Sequence, residues 1–274
     1  NICDQPENVV RSVSRLLGCK WEDLDPVYFG LNHYGWFTHV YDAHTGEDLL
    51  PKVREMVKEK GFLPQDAEQR DQSWLDTYGM VQTIMADFPE FLPNTYDQYY
   101  LYPDYKVSHL DPNFTRADEV MAGREKRVFT ECAEVIKEGK LGDKFHAISD
   151  AHAEMMIKVA EAIAYNKNDR HILIVENNGA IANMQDDAMV EVVCELGING
   201  PRPMRVGNIP QFNLGLLVNQ VSCEKLIVDA YFENSYQKAL EAFTLNRLIN
   251  DAKKARKVLD ALIEANKGMW PELR

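Results

Sequence analysis

The chain has no apolar run approaching 18 residues, and its mean hydropathy is -0.38, so no helix of it is expected to cross a membrane. It has no G-x-G-x-x-G opening a βαβ unit and no P-loop, so nothing in it binds a dinucleotide through a fingerprint of its own. Cysteines are few, odd in number and scattered: Cys3, Cys19, Cys132, Cys194 and Cys223. That usage predicts reduced thiols in a cytoplasmic protein rather than a disulfide framework. Positive charge is also short, with 30 Lys and Arg against 43 Asp and Glu for a net charge of -13, which argues against a nucleic-acid partner. A phosphorylated small molecule stays open, because one well-placed arginine outweighs distant surface charge screened by salt. No basic leader precedes an apolar stretch, so no signal peptide is expected. The chain opens at Asn1 rather than at methionine, which reads as a cut just upstream of a working site.

What is present supports a large core: 274 residues, 45% of them hydrophobic, suffice for one big domain or two small ones. Val9, Val13, Leu16 and Leu17 have helical spacing, predicting a helix over 7–17. Residues 27–36 are aromatic and β-branched with Gly30 and Gly35 interrupting, hence strand-like. Helices are expected over 50–60 and 66–86. Four prolines then predict that 88–113 is largely loop. Helix resumes over 115–137 behind the N-cap Thr115, and over 143–165 with Met156, Val159, Ala160 and Ile163 on one face. Strands are expected at 171–176, 189–196 and 204–207, and helices at 223–246 and 251–266. With helices first, a few strands late and helices again, the class is α+β, helix dominant.

Two residues of metal-binding type, Cys3 and His33, lie near the start of the chain, in Asn1-Ile2-Cys3-Asp4 and Gly30-Leu31-Asn32-His33-Tyr34-Gly35-Trp36. Two ligands are a weak metal signal, and single cysteines and histidines are mostly structural. Thiolate and imidazole alone would suggest zinc. Asp4 fits either a general acid or a helix cap. Tyr96 is one of five tyrosines between 96 and 105, and an unperturbed tyrosine is a poor base unless a cation favours its phenolate; packing fits equally well. Arg116 opens a helix against the macrodipole, which hints at an anionic partner. Arg202 and Arg205 read as surface or loop contacts, and Asn177-Asn178-Gly179 as an active-site turn or an ordinary one. His39, His44, His109, His146, His152 and His171 receive no functional role. The residues alone thus read as half of a one-metal enzyme with an anionic ligand conceivable.

The segments NICD at 1–4, GLNHYGW at 30–36, LPNTYDQYYLYP at 92–103, NFTRADEVM at 113–121, VENNGAIAN at 175–183 and VGNIPQF at 206–212 resemble the family 4 glycoside hydrolases. The likeness runs along essentially the whole chain and is nearest to the branch cleaving α-linked 6-phosphoglucosides, such as maltose 6'-phosphate. It implies that 1–274 is the metal- and substrate-binding C-terminal domain, of the type seen after the Rossmann domain of lactate and malate dehydrogenases. An N-terminal NAD-binding domain is then expected ahead of it, and this part alone should not turn over. It also implies NAD and a divalent metal, usually Mn²⁺, as cofactors, and a departure from two-carboxylate glycosidase chemistry. By matching positions, Cys3 and His33 would bind the metal. NAD⁺ would oxidise C3 of the glucosyl ring, Tyr96 would remove the acidified C2 proton, and Asp4 would protonate the departing oxygen. Arg116 would contact the substrate and Asn32 would orient ligand or sugar. A cytoplasmic homodimer or homotetramer is the expectation. The alternatives are an unphosphorylated α-glucoside, an α-galactoside or an α-galacturonide as substrate, or a non-catalytic sugar-phosphate-binding module.

Overall fold

The aromatic run at 27–36 is a hairpin rather than one strand. β1 (Leu24–Leu31) and β2 (Tyr34–Asp42) pair antiparallel and turn over at Asn32-His33, where His33 adopts φ 62. The computed structural model describes residues 1–70, 72–141, 151–249 and 251–274. With β3 (Leu92–Pro93), β4 (Asp169–Glu176), β5 (Met189–Gly197) and β6 (Gly200–Pro203), the hairpin forms an antiparallel sheet of order β3-β2-β1-β5-β4, β6 lying against β5. The α+β class holds, but three of these strands precede residue 94, so the sheet is not the late insertion expected.

Side chains alternate across the sheet with period two. Along β5, Val190, Val192, Cys194 and Leu196 enter one core and Val193 the other. The second core is closed by α1 (Gln5–Leu17), α2 (Leu50–Lys60) and α3 (Gln72–Asp87), through Val9, Val10, Val13, Leu50, Val53, Val57 and Val81. The first is closed by α7 (Ala151–Ala164) and α8 (Gln211–Glu233), through Ala162, Leu216, Leu217 and Val221. Each fully buried aliphatic side chain contributes about 1.5–3 kcal/mol, so two such faces fix β5 as the centre of the fold.

Several boundaries differ from expectation for local reasons. Segment 88–113 contains β3, α4 (Asp97–Leu101) and α5 (Pro103–Ser108). Its prolines are tolerated there because Pro93 lies in a two-residue edge strand and Pro103 opens a helix, where its missing N–H costs nothing. The strand expected at 204–207 is not formed; Pro201 and Pro203 instead lie in the edge strand β6. The helix expected at 223–246 is α8, beginning at Gln211, followed by α9 (Tyr236–Leu245). Asn234 ends α8 in the left-handed conformation, and the Ser235 side chain caps α9 by accepting from Lys238 N–H. α10 (Ala252–Ala265) packs on both through Ala230, Ala239 and Leu259. In α7 the inward face is Met155, Val159 and Ala162, one position round from the stripe expected, while Met156 and Ile163 are exposed. The first part of that predicted helix, and His146, lie outside the described residues. α6 (Arg116–Glu138) begins at Thr115 with a full capping box to Asp118, as its sequence predicts. All five cysteines are free.

Candidate active site

Three segments far apart in sequence meet at the His33 end of the hairpin. The first is the N-terminal stretch, tied to β4 by hydrogen bonds in both directions: the Asn1 ammonium donates to Ile174 O (2.8 Å) and Ile174 N–H to Asn1 O (2.9 Å). It carries Cys3, buried, and Asp4, half-buried. The second is the hairpin tip with Asn32, exposed, and His33, half-buried. The tip is pinched at its base by the facing pair Gly30 and Gly35. A Cβ on Gly35 would fall 2.4 Å from the Tyr28 hydroxyl, and one on Gly30 2.4 Å from the Gly35 Cα, so neither position admits a side chain. The third is the turn from β3 into α4, which carries Tyr96. The rings of His33 and Tyr96 lie 4.6 Å apart, centroid to centroid, and Tyr99 lies 5.8 Å beyond Tyr96.

The electrostatics are dominated by burial. Burial pushes the Cys3 thiol up to about 12, and the nearby Glu191 and Asp4 carboxylates push the same way. Burial lowers His33 below its ordinary value against the pull of Asp4, which favours the neutral imidazole a metal requires. Tyr96 is pushed up to about 12 by burial, with Tyr99, Cys3 and Asp4 adding to it and Arg116 opposing. The lowering expected for Tyr96 is therefore not achieved by the chain's own groups, and would need further positive charge beside Cys3 and His33.

Asp4 stands at the N-cap position of α1 but its carboxylate makes no capping bond there; it accepts from the Asn8 side chain at 3.0 Å, and its charge acts on His33 and Tyr96. Asn177 is fully buried and spends its amide on the carbonyls of Ile181 and Met184, at 3.0 and 3.1 Å, and on Ile181 N–H, so Asn177-Asn178-Gly179 is a structural turn. Arg116, half exposed at the start of α6, pairs with Glu119 one turn on (2.5 Å) and acts on both Tyr96 and Tyr99. Among the described residues no three His, Cys, Asp or Glu side chains gather as a metal cage.

The sequence reading missed a buried polar layer beneath these residues. Asn94, Thr95, Asp97, Gln98 and Gln5 are fully or almost fully buried. Asp97 Oδ1 accepts from Gly35 N–H at 3.1 Å, and Asn94 N–H donates to Gly35 O at 2.8 Å, which fastens the hairpin to the Tyr96 turn. Gln5 donates to Thr95, fastening α1 to the same turn. Glu191, alone among the apolar residues at 190–194, was the legible sign of it.

Residues 28–249 match the model of a family described as the family 4 glycosyl hydrolase C-terminal domain. A solved structure of a 6-phospho-α-glucosidase from gut microorganisms, in complex with NAD and Mn²⁺, is 81% identical with a TM-score of 0.96. A second, in complex with NAD and glucose-6-phosphate, is 45% identical with a TM-score of 0.92. The maltose-6'-phosphate glucosidase of Fusobacterium mortiferum is 46% identical over 278 residues. In each case all of this chain is matched, and it spans 62% of the relative's length.

Proposed function

The chain belongs to the family 4 glycosyl hydrolases, and from that membership we propose that it is the metal- and substrate-binding part of a 6-phospho-α-glucosidase acting on α-linked 6-phosphoglucosides. The observation that carries the reading is that Cys3, Asp4, His33 and Tyr96, from three separate segments, lie close enough to act on one another. The relatives of similar sequence that bear this activity support it. In this reading a NAD-binding domain ahead of these residues completes the enzyme, and the protein works in the cytoplasm as a homodimer or homotetramer.

The donor set fits a divalent cation. His33 is held toward the neutral imidazole and Cys3 offers a thiol that a cation would deprotonate, and two protein ligands would leave positions open for substrate. Bound there, a cation such as Mn²⁺ supplies a Lewis acid, and NAD supplies the hydride acceptor that makes a sugar C–H acidic.

Everything else falls to side chains. Cys3 and His33 hold the cation, and Asn32 at the same tip orients sugar or ligand. Tyr96 takes the proton from C2 of the sugar; its phenol needs positive charge beside it to do so, from Arg116 and from the cation that Cys3 and His33 hold. Asp4 donates a proton to the departing glycosidic oxygen. Arg116 receives the phosphate or a hydroxyl of the sugar. The test is cleavage of a chromogenic α-glucoside 6-phosphate by the protein joined to its NAD-binding domain, omitting NAD⁺ and Mn²⁺ in turn. Loss of cleavage without either supports the assignment, and indifference to both refutes it. Activity on the unphosphorylated glycoside alone would keep the family and discard the phosphate.

A further inference from the structure

Glu191 stands on the central strand β5 in a setting that should have been apolar: it is 0% exposed, and Val190, Val192, Val193 and Cys194 around it are buried hydrophobics. A carboxyl group there is costly unless it does something an isosteric apolar residue cannot. Its position is distinctive. In the β1–β5 register Glu191 lies opposite Gly30, the residue that faces Gly35 at the base of the His33 hairpin. Its charge also reaches Cys3.

From Glu191 a line of buried hydrogen bonds runs to the candidate base. The Tyr28 hydroxyl donates to Glu191 Oε2 at 3.2 Å. Asn94 Nδ2 donates to the Tyr28 hydroxyl at 3.3 Å. Asn94 Oδ1 accepts from the backbone N–H of Tyr96 at 3.0 Å, and Asn94 O from that of Asp97 at 3.0 Å. Tyr28, Asn94 and Glu191 are all 0% exposed, so water does not compete for the Tyr28–Glu191 and Asn94–Tyr28 links. We propose that Glu191 is a positioning residue for Tyr96, acting through Tyr28 and Asn94 to set the turn from which Tyr96 reaches the sugar. It touches neither substrate nor cofactor. The sheet centre thereby aims the base, while the same residue backs the hairpin that bears His33. The proposal rests on Tyr96 acting as the base in the reading above.

The experiment uses the protein joined to its NAD-binding domain, with saturating NAD⁺ and Mn²⁺. Tyr28→Phe removes one oxygen and breaks both links while keeping the ring. Glu191→Gln keeps an acceptor for Tyr28, and Glu191→Ala removes it. Each is assayed for kcat, KM, Tm and the kinetic isotope effect of deuterium at C2 of a 6-phospho-α-glucoside. Tyr28→Phe should lower kcat about 10- to 100-fold with KM within about threefold, the scale of a misplaced reacting group, and should raise the C2 isotope effect. Glu191→Gln should retain most of kcat and Glu191→Ala should match Tyr28→Phe. Unchanged kcat and isotope effect in Tyr28→Phe would overturn the proposal. So would a loss that tracks Tm with the isotope effect unmoved, since that is what a purely structural role gives. Wild-type turnover in D₂O separates this from the functional reading: product without deuterium at C2 removes Tyr96 as a C2 base, and both fall. Deuterium at C2 with an indifferent Tyr28→Phe removes the relay alone.

Discussion

The imidazole of His33 lies over the ring of Tyr96, centroids 4.6 Å apart and planes inclined by 49°. In the proposed reading these are a ligand and a base in contact, so what shifts one ring shifts the other, and a charge accepted at His33 is felt at Tyr96. Removing the Tyr96 hydroxyl while keeping its ring separates the two roles. Tyr96→Phe should lower kcat by about 10²- to 10⁴-fold, the usual worth of a general base. Mn²⁺ affinity, read by electron paramagnetic resonance, and Tm should stay near the wild type. A matching collapse of Mn²⁺ binding would mean that the hydroxyl is itself a ligand.

His33 holds a left-handed backbone conformation, φ 62, that costs any residue but glycine. His33→Gly should therefore abolish tight Mn²⁺ binding while Tm holds or rises, whereas His33→Ala should lose the metal and some stability as well. Thermal melts of the metal-free variants, set beside Mn²⁺ titrations, check this.

Gly35 has no room for a methyl group, since the Tyr28 hydroxyl would lie 2.4 Å from its Cβ. Gly35→Ala should destabilise by about 1–3 kcal/mol, as overpacked cores do. It should also cut activity through the displaced hairpin, and urea unfolding of the variant measures the first effect directly.

Burial pushes the Glu191 carboxyl from 4.5 up to about 8. A raised acid holds its proton more tightly in the folded chain. Its contribution is therefore fully present below the unfolded value and is lost as pH rises through the folded one, so the window is about pH 4.5 to 8. Within it the wild type should lose up to about 1.4 kcal/mol per pH unit that Glu191→Gln does not lose. Tm of the two proteins, compared from pH 5 to 8, should draw apart in favour of the variant. A constant difference would show that Glu191 does not titrate in that range.

Arg116 acts on Tyr96 and Tyr99 from the first turn of α6. Arg116→Ala should raise KM for a phosphorylated glucoside by at least tenfold more than for its neutral counterpart, a charge-assisted bond to phosphate being the stronger. Equal losses on both would place Arg116 on a sugar hydroxyl.

The elements with clean periodicity were legible in the sequence. The α1 stripe of Val9 and Val13, the Thr115 cap and the β5 run needed only local rules. The hairpin was hidden because its turn, Asn32-His33, contains no glycine, and the strain is carried by His33 itself. The prolines of 88–113 misled because their cost depends on position, at an edge strand or a helix start, which tertiary context decides. Of the candidate site, Cys3, His33 and Tyr96 were visible as residue types and by family resemblance. The buried layer of Asn94 and Asp97 was not, because its bonds join partners far apart in the chain; Glu191 amid apolar neighbours was its one trace.

That same distance sets when the site comes into being. Bringing Cys3 beside Tyr96 closes a loop of roughly 90 residues, an entropic cost met only by the sheet contacts that reward it. The site is therefore expected to assemble with the long-range sheet contacts rather than ahead of them. A cation that needs it intact would leave the folding rate nearly alone and act as a brake on unfolding.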